Sequence, residues 1–373
     1  MSEGGRGPGS YAGAGVDVAA LEGGLGRLVA RLGETFSFPR RGRPVLPNGF
    51  FANVLDIGGG TGLAIGTDGV GTKILVAHAL RRYDTVGIDL VAMNANDVLC
   101  VGAEPIALVD YVAVPSPAPE LLDELAAGLV EGARQAGISI PGGEVAQVRE
   151  LLRAHPPDAR EAFDLVGTAV GLVALDRVID GAAVAPGDAV IGLPSSGVHS
   201  NGLTLARRAL APEGTPAAYA ARPPELGGAS VGEELLRPTR IYARAVRALL
   251  EAEVAVHALA HITGDGLLNL LRIAAEDVGF VLDDLPDPHP IFGLIQARAR
   301  ASAAEMFQTY NMGVGFCVVV AAADCDRALS LLRRSEPGAR VIGRAQRDPS
   351  RRVVLERVGL VGSGKRFVAH SAA

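Results

Sequence analysis

The clearest hydrophobic pattern in the chain lies over Thr85–Val101. Apolar residues recur there at helical spacing, namely at Ile88, Val91, Ala92, Ala95, Val98 and Leu99. This spacing predicts one amphipathic helix, with Asp84 as its N-cap and Gly102 just past its end.

The polar face of this predicted helix carries the first candidate chemistry. Asp89, Asn96 and Asp97 lie together on a helical wheel, opposite the apolar stripe. Asp89 and Asp97 are two turns apart, roughly 12 Å along the axis, so they are poorly placed to share one bare ion. They suit different parts of an extended ligand such as a nucleotide. The alternative is a face that only contacts water, although asparagine is a weak helix former.

Hydrophobic runs elsewhere predict further elements. We expect a hairpin from Val54–Ile57 and Leu63–Ile65, strands at Ala107–Val114, Ile138–Ile140, Phe163–Leu175 and Val353–Leu360, and helices at Pro117–Gln135, Leu203–Leu210, Leu235–Leu250 and Leu267–Ala275. Pro141 and the glycines after it are expected to end the strand at Ile138–Ile140. The tail from Val361 is rich in glycine and serine. Val178–Gly187 is typical of a hinge between two domains.

A short acidic loop, Asp68–Lys73, precedes this helix. Gly69 and Gly71 lack a Cβ, so backbone N–H groups there can approach a phosphate closely. Asp68 is a hard oxygen ligand suited to Mg2+, and Lys73 is a point charge suited to phosphate. The alternative is a solvated turn between two strands.

Two later loops combine glycines with reactive side chains. Gly142-Gly143-Glu144 places a carboxylate after a strand, where open sheets commonly bind ligands, although a turn with a surface glutamate is the simpler interpretation. Ser195–Gly202 places small hydroxyls and glycines before a helix N-terminus, which suits an anion. Hydroxyl N-caps are ordinary, but His199 and Asn201 are not needed for capping.

Composition narrows the class of protein. The chain has 373 residues, enough for two domains, and its 48 glycines are nearly twice the usual ~7%. A net charge of -6 and the absence of tryptophan argue against a nucleic-acid-binding surface. Cys100, Cys317 and Cys325 have no metal-ligand spacing and indicate reduced thiols of a cytoplasmic protein. No apolar run reaches the ~20 residues of a membrane-spanning helix.

Several segments together resemble one enzyme family. GTDGVGTK, YDTVGIDLVAMNANDVLCVGAEP, SSGVHSNG, LLRPTRIY, HITGDG and EMFQTYNMGVGF follow one another in this order. They are similar to segments of aminoimidazole ribonucleotide synthetase, also named phosphoribosylformylglycinamidine cyclo-ligase. The resemblance implies an α+β fold of two α/β-type domains with mixed sheets. Residues 1–177 would form an ATP-binding and dimerisation domain, and residues 178–373 a C-terminal substrate-side domain.

The resemblance also implies an activity. The family uses ATP to convert formylglycinamidine ribonucleotide into aminoimidazole ribonucleotide, with ADP and phosphate, in de novo purine biosynthesis. The implied cofactors are ATP and Mg2+, and the implied partners are the ribonucleotide substrate and a second copy of the chain. Neither nucleic acid nor a membrane is an implied partner.

Site residues follow from the same resemblance. On the ATP side these are Asp68, Asp97 and Glu144 as metal ligands, with Gly69, Gly71, Thr72, Lys73, Asp89 and Asn96 as nucleotide contacts. On the substrate side these are Ser196, His199, Ser200, Asn201, Thr263 and Gly264. Lys73 and His199 are the catalytic candidates, and His199 is the candidate general acid or base by residue type alone.

Two departures from the family pattern keep alternatives open. Asp265 stands where glycine is usual, and Val145–Arg149 replaces a stretch that in many members reads Thr, Ala, Glu, Met, Pro. We expect Asp265 to cap the helix that follows it. The alternatives are another ATP-dependent phosphotransferase of the superfamily and a non-catalytic paralogue that binds nucleotide. Selenophosphate synthetase is disfavoured, because no cysteine precedes Cys100.

Overall fold

The computed structural model describes residues 18–152 and 162–370. The first 17 residues of the domain predicted over residues 1–177 lie outside these ranges. Within them, no helix is both long and apolar enough to cross a membrane.

The first half of the chain builds a six-stranded mixed sheet. Its elements are α1 (Val18–Gly33), β1 (Arg43–Pro44), β2 (Asn53–Gly58), β3 (Thr61–Gly69), α2 (Ile74–Leu80), α3 (Val86–Leu99), β4 (Glu104–Val114), α4 (Pro119–Ala136), β5 (Ser139–Gln147) and β6 (Asp164–Ala174). The strand order is β1-β2-β3-β6-β4-β5, in which only β4 and β5 are parallel. The hairpin predicted around Gly58 is confirmed as β2 and β3.

The second half builds an eight-stranded mixed sheet. Its elements are β7 (Ala189–Pro194), α5 (Leu203–Leu210), α6 (Pro216–Ala220), α7 (Val231–Leu235), α8 (Ala243–Glu251), β8 (Val256–His261), β9 (Val278–Leu282), α9 (Pro290–Ala299), α10 (Ala303–Thr309), β10 (Val314–Val320), α11 (Cys325–Leu332), β11 (Arg340–Arg347), β12 (Val353–Leu355), β13 (Leu360–Ser363) and β14 (Arg366–Ala369). The strand order is β14-β13-β12-β9-β11-β7-β10-β8. The predicted α+β class with two mixed-sheet domains is confirmed. The predicted boundary at residues 177/178 lies between β6 and β7.

Helix α3 lies over one face of the first sheet and packs tightly against α4. The close approach depends on glycine, because a Cβ on Gly87 would lie 2.4 Å from the backbone nitrogen of Leu129. Leu90 of α3, Leu108 of β4 and Leu165 of β6 are fully buried between the helix and the sheet. The apolar stripe therefore packs as predicted. The helix begins one residue later than expected, and Asp84 forms an ion pair with Arg82 instead of a cap.

Proline placement explains two of the corrections to the predicted elements. The strand expected to end before Pro141 continues to Gln147, because β5 is an edge strand and the missing N–H of proline removes no essential ladder bond. The helix expected over Leu235–Leu250 is instead two helices, α7 and α8. Pro238 lies in the non-helical segment between them, where it cannot continue a helix.

Two further corrections concern the C-terminal domain. The segment expected as a helix over Leu267–Ala275 forms only a short 3-10 turn, Gly266–Leu271. The last strand, expected over Val353–Leu360, ends at Leu355 as β12, and a 3-10 turn, Glu356–Val358, separates it from the hairpin β13–β14.

Candidate functional site

The acidic loop lies where the first domain meets the second. Strand β3 runs through Asp68 to Gly69, so Gly69 belongs to the strand instead of the loop. Gly71 then adopts a φ of 69°, the left-handed conformation that glycine tolerates best. A single 3-10 turn, Gly71–Lys73, leads directly into α2. Thr72 Oγ1 lies 3.1 Å from Thr204 Oγ1 of α5, so the loop touches the second domain.

Asp68 is held in place by a residue of α3. Asn94 Oδ1 accepts the backbone N–H of Asp68 at 3.0 Å, and Asn94 Nδ2 donates to the Asp68 carbonyl at 3.2 Å. The Asp68 carboxylate also accepts the N–H of Gly69 at 2.7 Å. Burial raises the pKa of Asp68, and the nearby negative charge of Asp97 raises it further. A bound cation would offset both effects.

Asp97 connects α3 to the second domain through a histidine. His261 Nδ1 lies 2.8 Å from Asp97 Oδ1, and the histidine side chain is buried while Asp97 remains one-fifth exposed. His261 is the last residue of β8, and one residue separates it from the turn Thr263–Gly266. Asp68, Asp97 and this turn are therefore neighbours across the domain boundary.

The two predicted substrate loops meet each other. A Cβ placed on Gly264 would lie 3.4 Å from Asn201 Oδ1, and Thr263, Gly264 and Asn201 are all partly or fully exposed. The two serines behave differently. Ser196 Oγ donates to the Pro238 carbonyl at 2.5 Å, and Ser200 Oγ lies 3.2 Å from Asp89 Oδ1. Both serine hydroxyls thus contact protein, not open space.

His199 is buried and electrically neutral. Its backbone has a φ of 64°, and only 2% of the residue is exposed. Burial lowers its pKa well below 6.5, and the neighbouring side chains of His261, Lys73 and Arg240 lower it further. Nε2 accepts the N–H of Ser196 at 3.1 Å, while Nδ1 has no partner among the described residues. This environment disfavours the predicted acid–base role, because a general base must accept a proton.

Lys73 and Asp89 were predicted to contact the nucleotide, but both are fully buried. Lys73 Nζ donates to Asp89 Oδ1 at 2.8 Å and to the carbonyl of Arg237 at 2.7 Å. Burial lowers the pKa of Lys73, and Asp89 partly opposes that shift. In this arrangement both side chains are occupied by contacts at the domain boundary, which does not support their predicted contact with the nucleotide. The lysine of a glycine-containing loop looked like a phosphate ligand because sequence gives no measure of burial.

Asn96, the third residue of the predicted polar face, is also fully buried. Nδ2 donates to the carbonyl of Arg240 at 2.8 Å, and Oδ1 accepts the N–H of Tyr242 at 3.0 Å. The polar face of α3 therefore packs against the second domain over most of its length.

Glu144 does not join the other two predicted metal ligands. It is exposed on the edge strand β5, and the pairing of strands places β6 and β4 between it and the strand of Asp68. Three inter-strand spacings amount to roughly 14 Å. Within the described ranges, no three His, Cys, Asp or Glu side chains are grouped to hold a metal ion. Asp68 and Asp97 still suit Mg2+, which usually binds one or two carboxylates together with water and substrate phosphates.

Comparison with known proteins identifies the family. The model of the AIR synthase related protein N-terminal domain matches residues 51–173, and that of its C-terminal domain matches residues 185–356. The phosphoribosylformylglycinamidine cyclo-ligase of Methanothermobacter thermautotrophicus is 47% identical over 331 residues, covering 87% of this chain and 91% of the relative. The chain belongs to the phosphoribosylformylglycinamidine cyclo-ligase family. The enzyme of that name from Pyrococcus furiosus is 48% identical over 328 residues, covering 87% of this chain and 92% of its own.

More distant solved structures share the fold of this cyclo-ligase family member. ThiL in complex with AMPPCP and TMP superposes with a TM-score of 0.61 at 14% identity, covering 94% of this chain and 98% of its own. The hydrogenase maturation protein HypE superposes with a TM-score of 0.57 at 18% identity, covering 83% of this chain and 89% of its own. At these identities the likeness concerns the fold alone.

Three residues of the site were missed by sequence reasoning about individual side chains. Asn94 fixes Asp68, His261 fixes Asp97, and Thr239 binds Asp89 from the second domain. The sequence does mark Asn94, because asparagine is a weak helix former and its presence inside a helix indicates a specific contact. Nothing in the sequence pattern brings His261 or Thr239 to α3, since the two contacts span 164 and 150 residues of chain.

Proposed function

We propose that this protein uses ATP to close the imidazole ring of aminoimidazole ribonucleotide, starting from formylglycinamidine ribonucleotide and releasing ADP and phosphate. The observation that carries the proposal is the 47% identity, over 87% of this chain, to a relative named for that cyclo-ligase reaction. The convergence of Asp68, Asp97 and the Thr263–Gly264 turn at one domain boundary supports it.

The reaction sets clear chemical needs. The oxygen of a formyl amide is a poor leaving group, and transfer of the γ-phosphoryl group to that oxygen makes it a good one. An amidine nitrogen of the same molecule then attacks the formyl carbon, closes the five-membered ring and expels phosphate. Such a transfer needs charge neutralisation and in-line positioning more than a strong nucleophile on the protein.

The proposed ATP side lies on the first domain. Asp68 and Asp97 would hold Mg2+, which neutralises phosphate charge when it is bound. Gly71 and Thr72 are exposed or half-buried, so their N–H groups are the proposed phosphate contacts. The N–H of Gly69, also predicted to contact phosphate, instead donates to the Asp68 carboxylate. Asn94 holds the backbone of Asp68, and His261 contacts the carboxylate of Asp97. Glu144 lies too far away to share this ion within one chain, so any role in metal binding would be at another site, for example that of a second copy of the chain.

The proposed ribonucleotide side lies on the second domain. Asn201, Thr263 and Gly264 are its accessible polar groups. Asn269 Nδ2 donates to Thr263 Oγ1 at 3.1 Å and fixes that side chain. His199 contributes as a neutral residue beneath this surface.

We also propose that the protein is a cytoplasmic homodimer that pairs through the open face of its first sheet. Helix α3 covers the other face. Val109, Tyr111 and Leu172 are between 40% and 46% exposed on the open side. A second copy would cover this apolar surface.

The decisive experiment is a turnover assay with purified protein, ATP, Mg2+ and formylglycinamidine ribonucleotide. ADP release that depends on the ribonucleotide, with formation of the aminoimidazole product, is the expected result. Nucleotide binding without turnover would instead support a non-catalytic paralogue. Turnover of ATP with a different acceptor would support another phosphotransferase.

A further inference from the structure

The contacts of α3 with the second domain form a regular pattern. Asp89 Oδ1 accepts both the N–H of Thr239, at 2.7 Å, and its hydroxyl, at 2.6 Å. Seven residues later, Asn96 binds the carbonyl of Arg240 and the N–H of Tyr242. One helix face therefore holds a single stretch of the second domain, Pro238–Tyr242, at both of its ends.

The two partners in this contact set differ in conformation. Asp89 and Asn96 are seven residues apart on α3, which rises about 10.5 Å between them. Their partners Thr239, Arg240 and Tyr242 lie in the non-helical break between α7 and α8, where backbone N–H and C=O groups are available to bind side chains.

Burial makes this contact set costly to break. Asp89 and Asn96 are both 0% exposed, and Thr239 is 1% exposed. The second oxygen of Asp89 has no partner among the described residues, so the carboxylate depends on the donors at Oδ1. Lys73 provides the opposite charge and also binds the Arg237 carbonyl, one residue before Pro238.

The same stretch is connected to both halves of the proposed site. Asp97, a proposed metal ligand, directly follows Asn96 on α3. On the other side, Ser196 donates to the Pro238 carbonyl, and Ser200 lies 3.0 Å from Thr239 through their hydroxyl oxygens. A shift of this stretch along α3 would therefore move the ribonucleotide loop relative to the carboxylates.

We propose that Asp89, Asn96 and Thr239 form an interdomain clamp, and that Thr239 and Asn96 are positioning residues for the reaction. The clamp fixes the distance between the ATP held by the first domain and the ribonucleotide held by the second. This inference rests on the proposed function for its kinetic part. Its structural part, the coupling of the two domains, stands independently.

The clamp has a specific kinetic signature. Each substrate binds mainly to its own domain, so loosening the clamp leaves both KM values nearly unchanged. The in-line arrangement of phosphoryl group and acceptor depends on both domains together, so kcat falls. A displacement of about 1 Å is sufficient to lower the rate about a hundredfold.

The test compares Thr239→Val with Thr239→Ser. Valine keeps the shape and the backbone N–H but removes the hydroxyl, whereas serine keeps the hydroxyl. We expect kcat of Thr239→Val to fall by about tenfold to a hundredfold, with KM for ATP and for ribonucleotide within about twofold. Thr239→Ser should restore most of kcat. Thr85→Val is the matched control, because that buried hydroxyl has no partner among the described residues.

Calorimetry separates this proposal from the proposed function. Wild type should unfold in one transition, and Thr239→Val should show two or a broadened one, whether or not the protein turns over. Should Thr239→Val not fold, Asn96→Ala tests the other end of the clamp with the same readouts. A rise in KM with unchanged kcat, or a single transition with unchanged kcat, would overturn the clamp. Absence of turnover in wild type would overturn only the proposed function.

Discussion

Lys73 and Asp89 form a fully buried ion pair, in which Nζ lies 2.8 Å from Oδ1. Asp89 also accepts three hydrogen bonds from the second domain, two from Thr239 and one from Ser200. The only ammonium group of the acidic loop is thereby committed to the domain boundary, whereas its sequence context is typical of a phosphate ligand.

Replacement of Lys73 tests this assignment. Lys73→Ala leaves the Asp89 charge buried without its cation, so we expect a loss of about 3–5 kcal/mol in the free energy of unfolding. The double variant Lys73→Met/Asp89→Asn removes both charges and should recover much of that loss. Urea unfolding measures both. A stable Lys73→Ala protein with a strongly raised KM for ATP would instead return Lys73 to the phosphate site.

Asp68 and Asp97 should be essential for turnover but not for stability. Asp68→Asn and Asp97→Asn should each lower kcat by orders of magnitude, since each removes a proposed Mg2+ ligand. Asp68→Asn also relieves burial and repulsion of a carboxylate, so its melting temperature should stay the same or rise. Titration of Mg2+ by calorimetry, which does not depend on turnover, should show weaker binding in both. Normal activity in either variant removes that residue from the site.

Neutral His199 should make stability depend on pH. Its folded pKa lies well below the unfolded value of about 6.5, so below that pH the unfolded chain binds a proton that the folded chain does not. Above the unfolded pKa, His199 costs the folded protein no stability. As pH falls through that pKa, the free energy of unfolding declines by up to about 1.4 kcal/mol per pH unit.

His199→Asn should remove this part of the acid-side decline, and asparagine tolerates the positive φ at this position. Urea unfolding at pH 7.5 and 5.5 measures the difference. His370→Asn, at an exposed position, is the control. An unchanged acid-side decline in His199→Asn would show that other groups cause it.

The open face of the first sheet should hold a second copy of the chain. We expect a dimer at micromolar concentration in sedimentation velocity, and Tyr111→Glu should shift it toward monomer by placing a charge in an apolar contact. Val130→Glu is the control, because Val130 is 58% exposed on α4. A monomeric wild type contradicts the proposal.

Local pattern predicted most elements correctly. The apolar stripe of α3 and the hairpin of β2 and β3 each depend on residues close in sequence, and both are present. Errors arose where a distant segment decides the outcome. Residues 237–242 are non-helical, and α3 provides partners for the backbone groups of Thr239, Arg240 and Tyr242. No local feature besides Pro238 signals this.

The site residues divide in the same way, into those that local motifs predict and those that depend on distant packing. Asp68, Asp97, Thr263 and Gly264 were assigned from motifs and do lie near one domain boundary. Lys73 was assigned from residue type, which is identical for a phosphate ligand and for a buried ion-pair partner. Burial separates the two, and burial depends on the packing of both domains.

Asp265 provides the last prediction, because its expected cap is absent. Asp265 occupies the N-cap position of the Gly266–Leu271 turn, but its side chain makes no capping hydrogen bond. It is half-buried and borders a cavity of about 640 Å3 shared with Arg272 and Lys365. Without a cap bond to lose, Asp265→Asn should change the free energy of unfolding by less than about 0.5 kcal/mol.

The effect on the substrate should be larger than the effect on stability. Asp265 adjoins Thr263 and Gly264, where the negatively charged ribonucleotide is proposed to bind, so its charge opposes substrate binding. We expect Asp265→Asn and Asp265→Gly to keep kcat and to have an unchanged or lower KM for the ribonucleotide, and the change should diminish at high ionic strength. Steady-state kinetics at two salt concentrations measures this. A fall in kcat by orders of magnitude in both variants would show that the carboxylate takes part in the reaction itself.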